Sequence, residues 1–272
     1  MSAFRFILSF SFVELFFFAK ILQVEPVRVG AVSYLNTKPF VLGLTRSPQP
    51  PIIQLSADYP AAIATQLQEK KIDIGLIPVA AMSRIPDARL VTDFCIGAEG
   101  PVASVAIFSE VPLEKVTTLI LDYQSNTSVS LARILLKEYW QLNPTLEAAG
   151  IDFMQKIKGT TAAVVIGDRA LDIYYQYPYR YDLAEAWMAH TGLPFVFAAW
   201  VANRHLPDDF IASFNNALEW GVDHWQDLLP NLPPLSYDPV TYFSRNISYE
   251  LTSQKKQGME LFLKKLLSLT SW

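Results

Sequence analysis

The stretch "GAVSYLNTKPFVLGL" sets Ser33, Tyr34, Asn36 and Thr37 between an apolar run ending at Val32 and the helix-starting Pro39. Short polar side chains of this kind close turns and cap helices, and the same groups can hydrogen-bond a ligand. A second polar segment, "LDYQSNTSVSLARIL", puts Ser125, Thr127 and Ser128 at the start of an amphipathic pattern. One hydroxyl suffices for a helix cap. A run of them at a helix N-terminus, where N–H groups lack partners and the dipole end is positive, also suits an anion. Capping and anion binding are both open on these grounds. A third segment, "VIGDRAL", places Gly167 and Asp168 between a strand and a helix, where Asp168 is either an N-cap or an acid binding a ligand hydroxyl.

Other chemistries have little to work with. The chain of 272 residues is 51% apolar with a formal net charge of −4, so it can bury a sizeable core but has no basic footprint for nucleic acid. Its lysine pairs, Lys70-Lys71, Lys255-Lys256 and Lys264-Lys265, fall on amphipathic patterns and read as solvated helix faces. Cys95 is the single cysteine, which excludes an intrachain disulfide and a Cys-based zinc site, and His190, His205 and His224 lack the spacing of a metal centre. Gly-x-Ser-x-Gly, Gly-x-Gly-x-x-Gly and P-loop patterns are absent. No cofactor or metal is expected.

The elements that must position these polar turns follow an α/β alternation. Strands are expected at "VRVGAV", "PIIQLS", "IDIGLIPV", "VASVAIFSE", "VTTLILD", "AAVVIGD" and "LPFVFAAWVA", the third too apolar to be half-exposed. Helices are expected after Pro39, from Asp58 or Pro60, after Ser125, after Asp168, and in three pieces at 208–225, 239–243 and 253–269. If the runs at 103–108 and 195–202 are crossovers, residues 27–105 plus 203–272 form one lobe and 106–202 a second. The turns after Val32, Leu121 and Ile166 then share one cleft, since ligands of open α/β sheets bind beyond the carboxyl ends of the strands. Upstream, residues 1–26 are a Phe-rich apolar extension interrupted by Glu14 and Lys20, too short for a bilayer span, so no stable membrane insertion is expected.

"VGAVSYLNTKPFVLGL", "DIGLIPVAA", "GPVASV", "LDYQSNTSVSLARILL", "VIGDRAL", "YDLAEAW", "TGLPFVFAAW" and "ISYEL" occur in an order and spacing that resembles the chorismate dehydratases of the futalosine route to menaquinone. The resemblance covers residues 27–263. It implies a two-lobed, type 2 periplasmic-binding-protein-like fold with a ligand cleft between the lobes, in a cytoplasmic lyase. The implied reaction removes water across C3 and C4 of chorismate to give 3-[(1-carboxyvinyl)oxy]benzoate. By this resemblance Ser33, Tyr34, Ser104, Ser125, Thr127, Ser128 and Gly167 belong to the substrate site. Asn36 orients the ring or polarises the departing hydroxyl, and the base is Asp168 or the substrate's own side-chain carboxylate.

A non-catalytic solute-binding protein for a small carboxylate is the competing expectation, supported by the apolar N-terminus. The oligomeric state is not readable. Because no chemistry-bearing motif lies upstream of Val27, deleting residues 1–26 is expected to leave folding and activity intact. A truncated chain that folds with its normal melting temperature but has lost activity overturns this.

Overall fold

The computed structural model describes residues 25–269, so the upstream apolar stretch lies outside the described residues except for Glu25 and Pro26. Its strands are β1 (Val27–Val32), β2 (Ile53–Asp58), β3 (Ile74–Pro78), β4 (Arg89–Ala98), β5 (Val105–Ser109), β6 (Thr118–Leu121), β7 (Thr145–Ala148), β8 (Thr161–Ile166), β9 (Tyr179–Asp182), β10 (Phe195–Ala202) and β11 (Ser248–Glu250). The principal helices are α1 (Lys38–Arg46), α2 (Pro60–Gln68), α3 (Asn126–Leu135), α4 (Asp168–Asp172), α5 (Leu183–Thr191), α6 (Asp208–Asp223) and α7 (Ser253–Leu267). Among the described residues no helix is long and apolar enough to cross a membrane.

Two sheets divide these strands. The first runs β11-β4-β10-β3-β1-β2 and the second β7-β6-β8-β5-β9. Strands β1, β2 and β3 are mutually parallel through β1, which requires crossover helices; α1 and α2 supply them, each with proline in its first turn. Every residue of β3 is buried, as its apolar run predicts for a strand covered on both faces. Of the two expected helix starts, Pro60 opens α2 while Asp58 ends β2.

Strand β10 pairs antiparallel with β3 and β4, in the interior of the first sheet. The return crossing is therefore made upstream of Phe195, and not after Ala202 where the lobe boundary was expected. The outward crossing is the segment between Ala98 and Val105. A wholly apolar strand announces that it is central but carries no mark of which sheet it joins. Strand β4 has no counterpart among the expected elements, because Arg89 and Asp93 break its apolar pattern. Strands β7, β9 and β11 and helix α5 are likewise additions.

Helix α1, which carries the Asn36 turn at its start, crosses α6 at backbone contact. A Cβ on Gly43 would lie 1.8 Å from the Ala217 carbonyl oxygen, and one on Gly221 would lie 2.0 Å from that of Pro39. Phe40, buried one turn after Asn36, packs edge-on against Trp200 of β10 and Tyr249 of β11, at centroid distances of 5.8 and 5.1 Å. Strand β11 is in turn pinned by Lys255, which is fully buried and not on the solvated face expected of it; its Nζ donates to the Glu250 carbonyl (2.6 Å) and pairs with Glu99 (3.1 Å).

The α1–α6 contact makes a direct test. Gly43→Ala meets backbone that cannot yield, so the unfolding free energy should fall by about 3 kcal/mol, whereas Gly100→Ala, which meets nothing within 4 Å, should leave it unchanged. Equal denaturation midpoints for the two variants would show that the helices are free to separate.

Candidate active site

The turns after β1, β6 and β8 do converge on one cavity between the sheets. Tyr34, Asn36, Thr37, Ser104, Ser125, Ser128 and Gly167 supply its polar or close-packed wall, and Val32, Ile96, Val105, Ile166 and Phe197 are among its apolar residues. Its volume is about 50 Å³, well below the ~300 Å³ and upward usual for a drug-sized ligand. The cavity as it stands can hold no ligand of that size.

The first wall is the turn after Val32. The Asn36 side-chain oxygen accepts from the Thr37 hydroxyl (3.2 Å), while the Asn36 carbonyl accepts from Tyr249 (3.0 Å). With its oxygen engaged, the Asn36 amide has N–H groups to offer. Tyr242, completely buried behind the wall, donates its hydroxyl to Ser104 Oγ (2.8 Å). Burial raises the Tyr242 hydroxyl well above the usual tyrosine range, with Ser104 and Asn36 as hydrogen-bonding partners that pull it back. Asn36 and Ser104 are thus joined through one neutral phenol.

The second wall is the N-terminus of α3. Ser125 caps it, accepting from the Ser128 backbone N–H (3.2 Å) and from the Ser128 hydroxyl (3.1 Å). Both serines also face the cavity, so capping and ligand contact are not alternatives here. Thr127 faces elsewhere: its hydroxyl accepts from Ala80 N–H (3.1 Å) across the lobes. Consecutive helix residues point about 100° apart, and here Thr127 turns to Ala80 while Ser128 faces the cavity.

The third wall is Gly167, at φ +64°, where a Cβ would strike the Tyr34 ring at 2.9 Å. Its N–H donates to the Ser104 carbonyl (2.8 Å). Asp168 starts α4 but does not cap it; Oδ1 accepts from Leu35 N–H (2.9 Å) in the opposite lobe, and Asp168 stands outside the cavity lining. Ser33 is exposed and also lies outside. Tyr34 donates its hydroxyl to Gln124 Oε1, which also accepts from Arg169 (2.8 Å); Arg169 pairs with the buried Asp122 (2.7 Å). Gln124, Arg169, Tyr242 and Tyr249 escape sequence reasoning because each acts through a tertiary partner that no local spacing announces. Among the described residues no group of three or more His, Cys, Asp or Glu side chains could hold a metal ion.

A family model for menaquinone biosynthesis matches residues 27–267. The chain belongs to that family. A chorismate dehydratase of Thermus thermophilus is 26% identical over 263 residues, covering 84% of this chain and 96% of the relative. One from Campylobacter jejuni is 30% identical over 174 residues, covering 62% and 64%. Among solved structures, a protein of Archaeoglobus fulgidus matches with a TM-score of 0.66 at 10% identity, over 91% of this chain and 98% of the other. A Candida albicans protein described as having the generic periplasmic binding protein fold gives 0.64 at 9%, over 92% of each. The alkanesulfonate-binding protein of Xanthomonas axonopodis gives 0.61 at 13%, over 89% and 92%. These likenesses give the family's architecture: two α/β lobes of the periplasmic-binding-protein kind with the cavity between them.

Burial raises the Asp168 carboxyl above the usual range, opposed first by the Leu35 N–H. The native state then holds the proton to higher pH than the unfolded chain, and this group's contribution to stability declines as pH rises through that window. Asp168→Asn keeps an acceptor for Leu35 and removes the titration. Its stability relative to the parent should rise from about pH 4 upward, measured by chemical denaturation at a series of pH values; a flat difference overturns this.

Proposed function

We propose that the protein is a chorismate dehydratase, a hydro-lyase that converts chorismate to 3-[(1-carboxyvinyl)oxy]benzoate and water in the cytoplasm, for menaquinone biosynthesis by the futalosine route. Family membership and the similarity to named chorismate dehydratases support the reaction. The observation that carries the mechanism is the cavity lining, which contains hydroxyls, a phenol and an amide but no carboxylate, histidine, lysine or arginine.

Dehydration removes the C3 proton, which the ring carboxylate acidifies through the intervening double bond, and expels the C4 hydroxyl; aromatisation supplies the driving force. Ser125, whose oxygen accepts from the Ser128 hydroxyl and whose own proton is left to donate, takes the ring carboxylate with the N-terminus of α3 behind it and stabilises charge that develops there. Ser104 approaches from the crossing between lobes: its oxygen already accepts from Tyr242, leaving its own proton to donate. The Asn36 amide donates a hydrogen bond to the departing hydroxyl, which leaves as water by taking up the proton removed from C3. Asp168 carries the tie to Leu35 that closes the cavity, which favours as base the substrate's side-chain carboxylate, acting within the molecule where effective molarity is high.

Incubating the purified protein with chorismate and following the aromatic product chromatographically tests this. Unchanged chorismate bound with micromolar affinity would point instead to a solute-binding protein. For Asn36→Asp, which keeps size but replaces a donor with negative charge, turnover should fall about a hundredfold with folding intact. Undiminished turnover with a lowered melting temperature would reduce Asn36 to a turn-closing residue.

A further inference from the structure

Ser104 stands on an unusual piece of backbone. Its N–H donates to the Val102 carbonyl (2.7 Å), closing a three-residue turn with Ala103 at its centre. Ala103 has φ +62°, the left-handed region that a residue with a Cβ adopts only under constraint. The Ala103 N–H does not point to a carbonyl. It donates to Asp182 Oδ2 (2.7 Å), while Asp182 Oδ1 accepts from the Ala184 (3.0 Å) and Glu185 (3.1 Å) N–H groups at the start of α5. No lysine, arginine or histidine is among the partners recorded for this carboxylate, and burial pushes its carboxyl up to about 6 against the pull of the backbone N–H groups of Glu185, Val102, Ala103 and Ala184. One side chain therefore joins the outward crossing at 99–104 to the helix that begins the return crossing.

The geometry points to Asp182 as the positioning residue of the cavity: by holding Ala103 in its left-handed conformation it fixes where Ser104 presents its hydroxyl to the substrate. A helix cap alone uses one carboxylate oxygen, and here the second oxygen is spent on a turn in the other crossing. Ser104 is then tied at each polar atom, amide to Val102, carbonyl to Gly167 N–H (2.8 Å), hydroxyl to Tyr242 (2.8 Å). Its placement depends on a turn that would relax without the carboxylate. The assignment of Ser104 to substrate rests on the dehydratase reading; the hold on the turn does not.

Asp182→Asn separates the two jobs. Asn is itself a good N-cap, but its single acceptor oxygen cannot serve both α5 and Ala103. In the ligand-free protein, amide hydrogen exchange at 102–104 should accelerate while that at 184–185 stays protected; unchanged exchange at 102–104 overturns the proposal whether or not chorismate is a substrate. With chorismate, KM or the dissociation constant should rise about 10- to 100-fold with little change in melting temperature. Adding Ala103→Gly, which takes positive φ without strain, should restore affinity toward the parent value; a double variant no better than Asp182→Asn counts against positioning. Should Asp182→Asn not fold, Ala103→Val, whose branched side chain resists this φ, should weaken chorismate in the same way with Asp182 intact, and unaltered affinity there also overturns the proposal. A parent protein that binds chorismate without forming product sinks the dehydratase reading alone.

Discussion

The hydrogen bond from Leu35 N–H to Asp168 Oδ1 joins the polar turn of the first sheet to that of the second, and the cavity exists only while the two turns face each other. Both turns stand at the carboxyl ends of parallel strands, where open α/β sheets leave room for ligands. Gly167, at positive φ, lets the chain turn sharply enough for Asp168 to reach across and leaves space for the Tyr34 ring. Two further ties cross the gap, Ala80 N–H to Thr127 and Tyr34 to Gln124. Each hydrogen bond is worth about 1 kcal/mol, up to ~3 where one partner is charged. These bonds set the register of the facing turns, beside an apolar core that buried residues of both sheets share.

The neutral wall sets the chemistry. The cavity lining has no lysine or arginine, so on the dehydratase reading a dianion is held by fixed dipoles, and each dipole is oriented by a protein partner: Thr37 for Asn36, Tyr242 for Ser104, the cap for Ser125 and Ser128. Arg169 is paired with buried Asp122 behind Gln124. This matters for a base supplied by the substrate. A guanidinium against that carboxylate would stabilise its charge and make it a weaker proton acceptor, whereas hydroxyl donors placed at the ring carboxylate stabilise the charge that grows there and leave the other carboxylate basic.

Much of this was legible in the chain because it is local. The three polar turns, the parallel strands with their proline-opened helices and the buried character of β3 and β10 all follow from periodicity and turn chemistry over short spans. What was not legible is relational. Thr127 and Ser128 are indistinguishable as types, and only the helical rotation between them sends one to Ala80 and the other to the cavity. Asp168 has the form of an N-cap or a ligand-binding acid and serves as a tie between lobes. Strand β4 hides behind Arg89 and Asp93, and β10 gives no sign of which sheet it joins. Tyr242 and Tyr249 reach the Asn36 turn from more than 200 residues away in sequence, a distance across which no local pattern carries information.

The position of Ser104 in this scheme follows from the path of the chain. The chain passes between lobes at two places, and Ser104 is the last residue of the first passage, one residue before β5. It therefore lines the cavity from the passage itself, between Asn36 on the first lobe and Ser125 and Ser128 on the second. On the dehydratase reading, a binding-protein scaffold becomes an enzyme by where it sets these donors: Ser104 orients the ring, and the donors of the two lobes fall where charge develops and where the hydroxyl leaves.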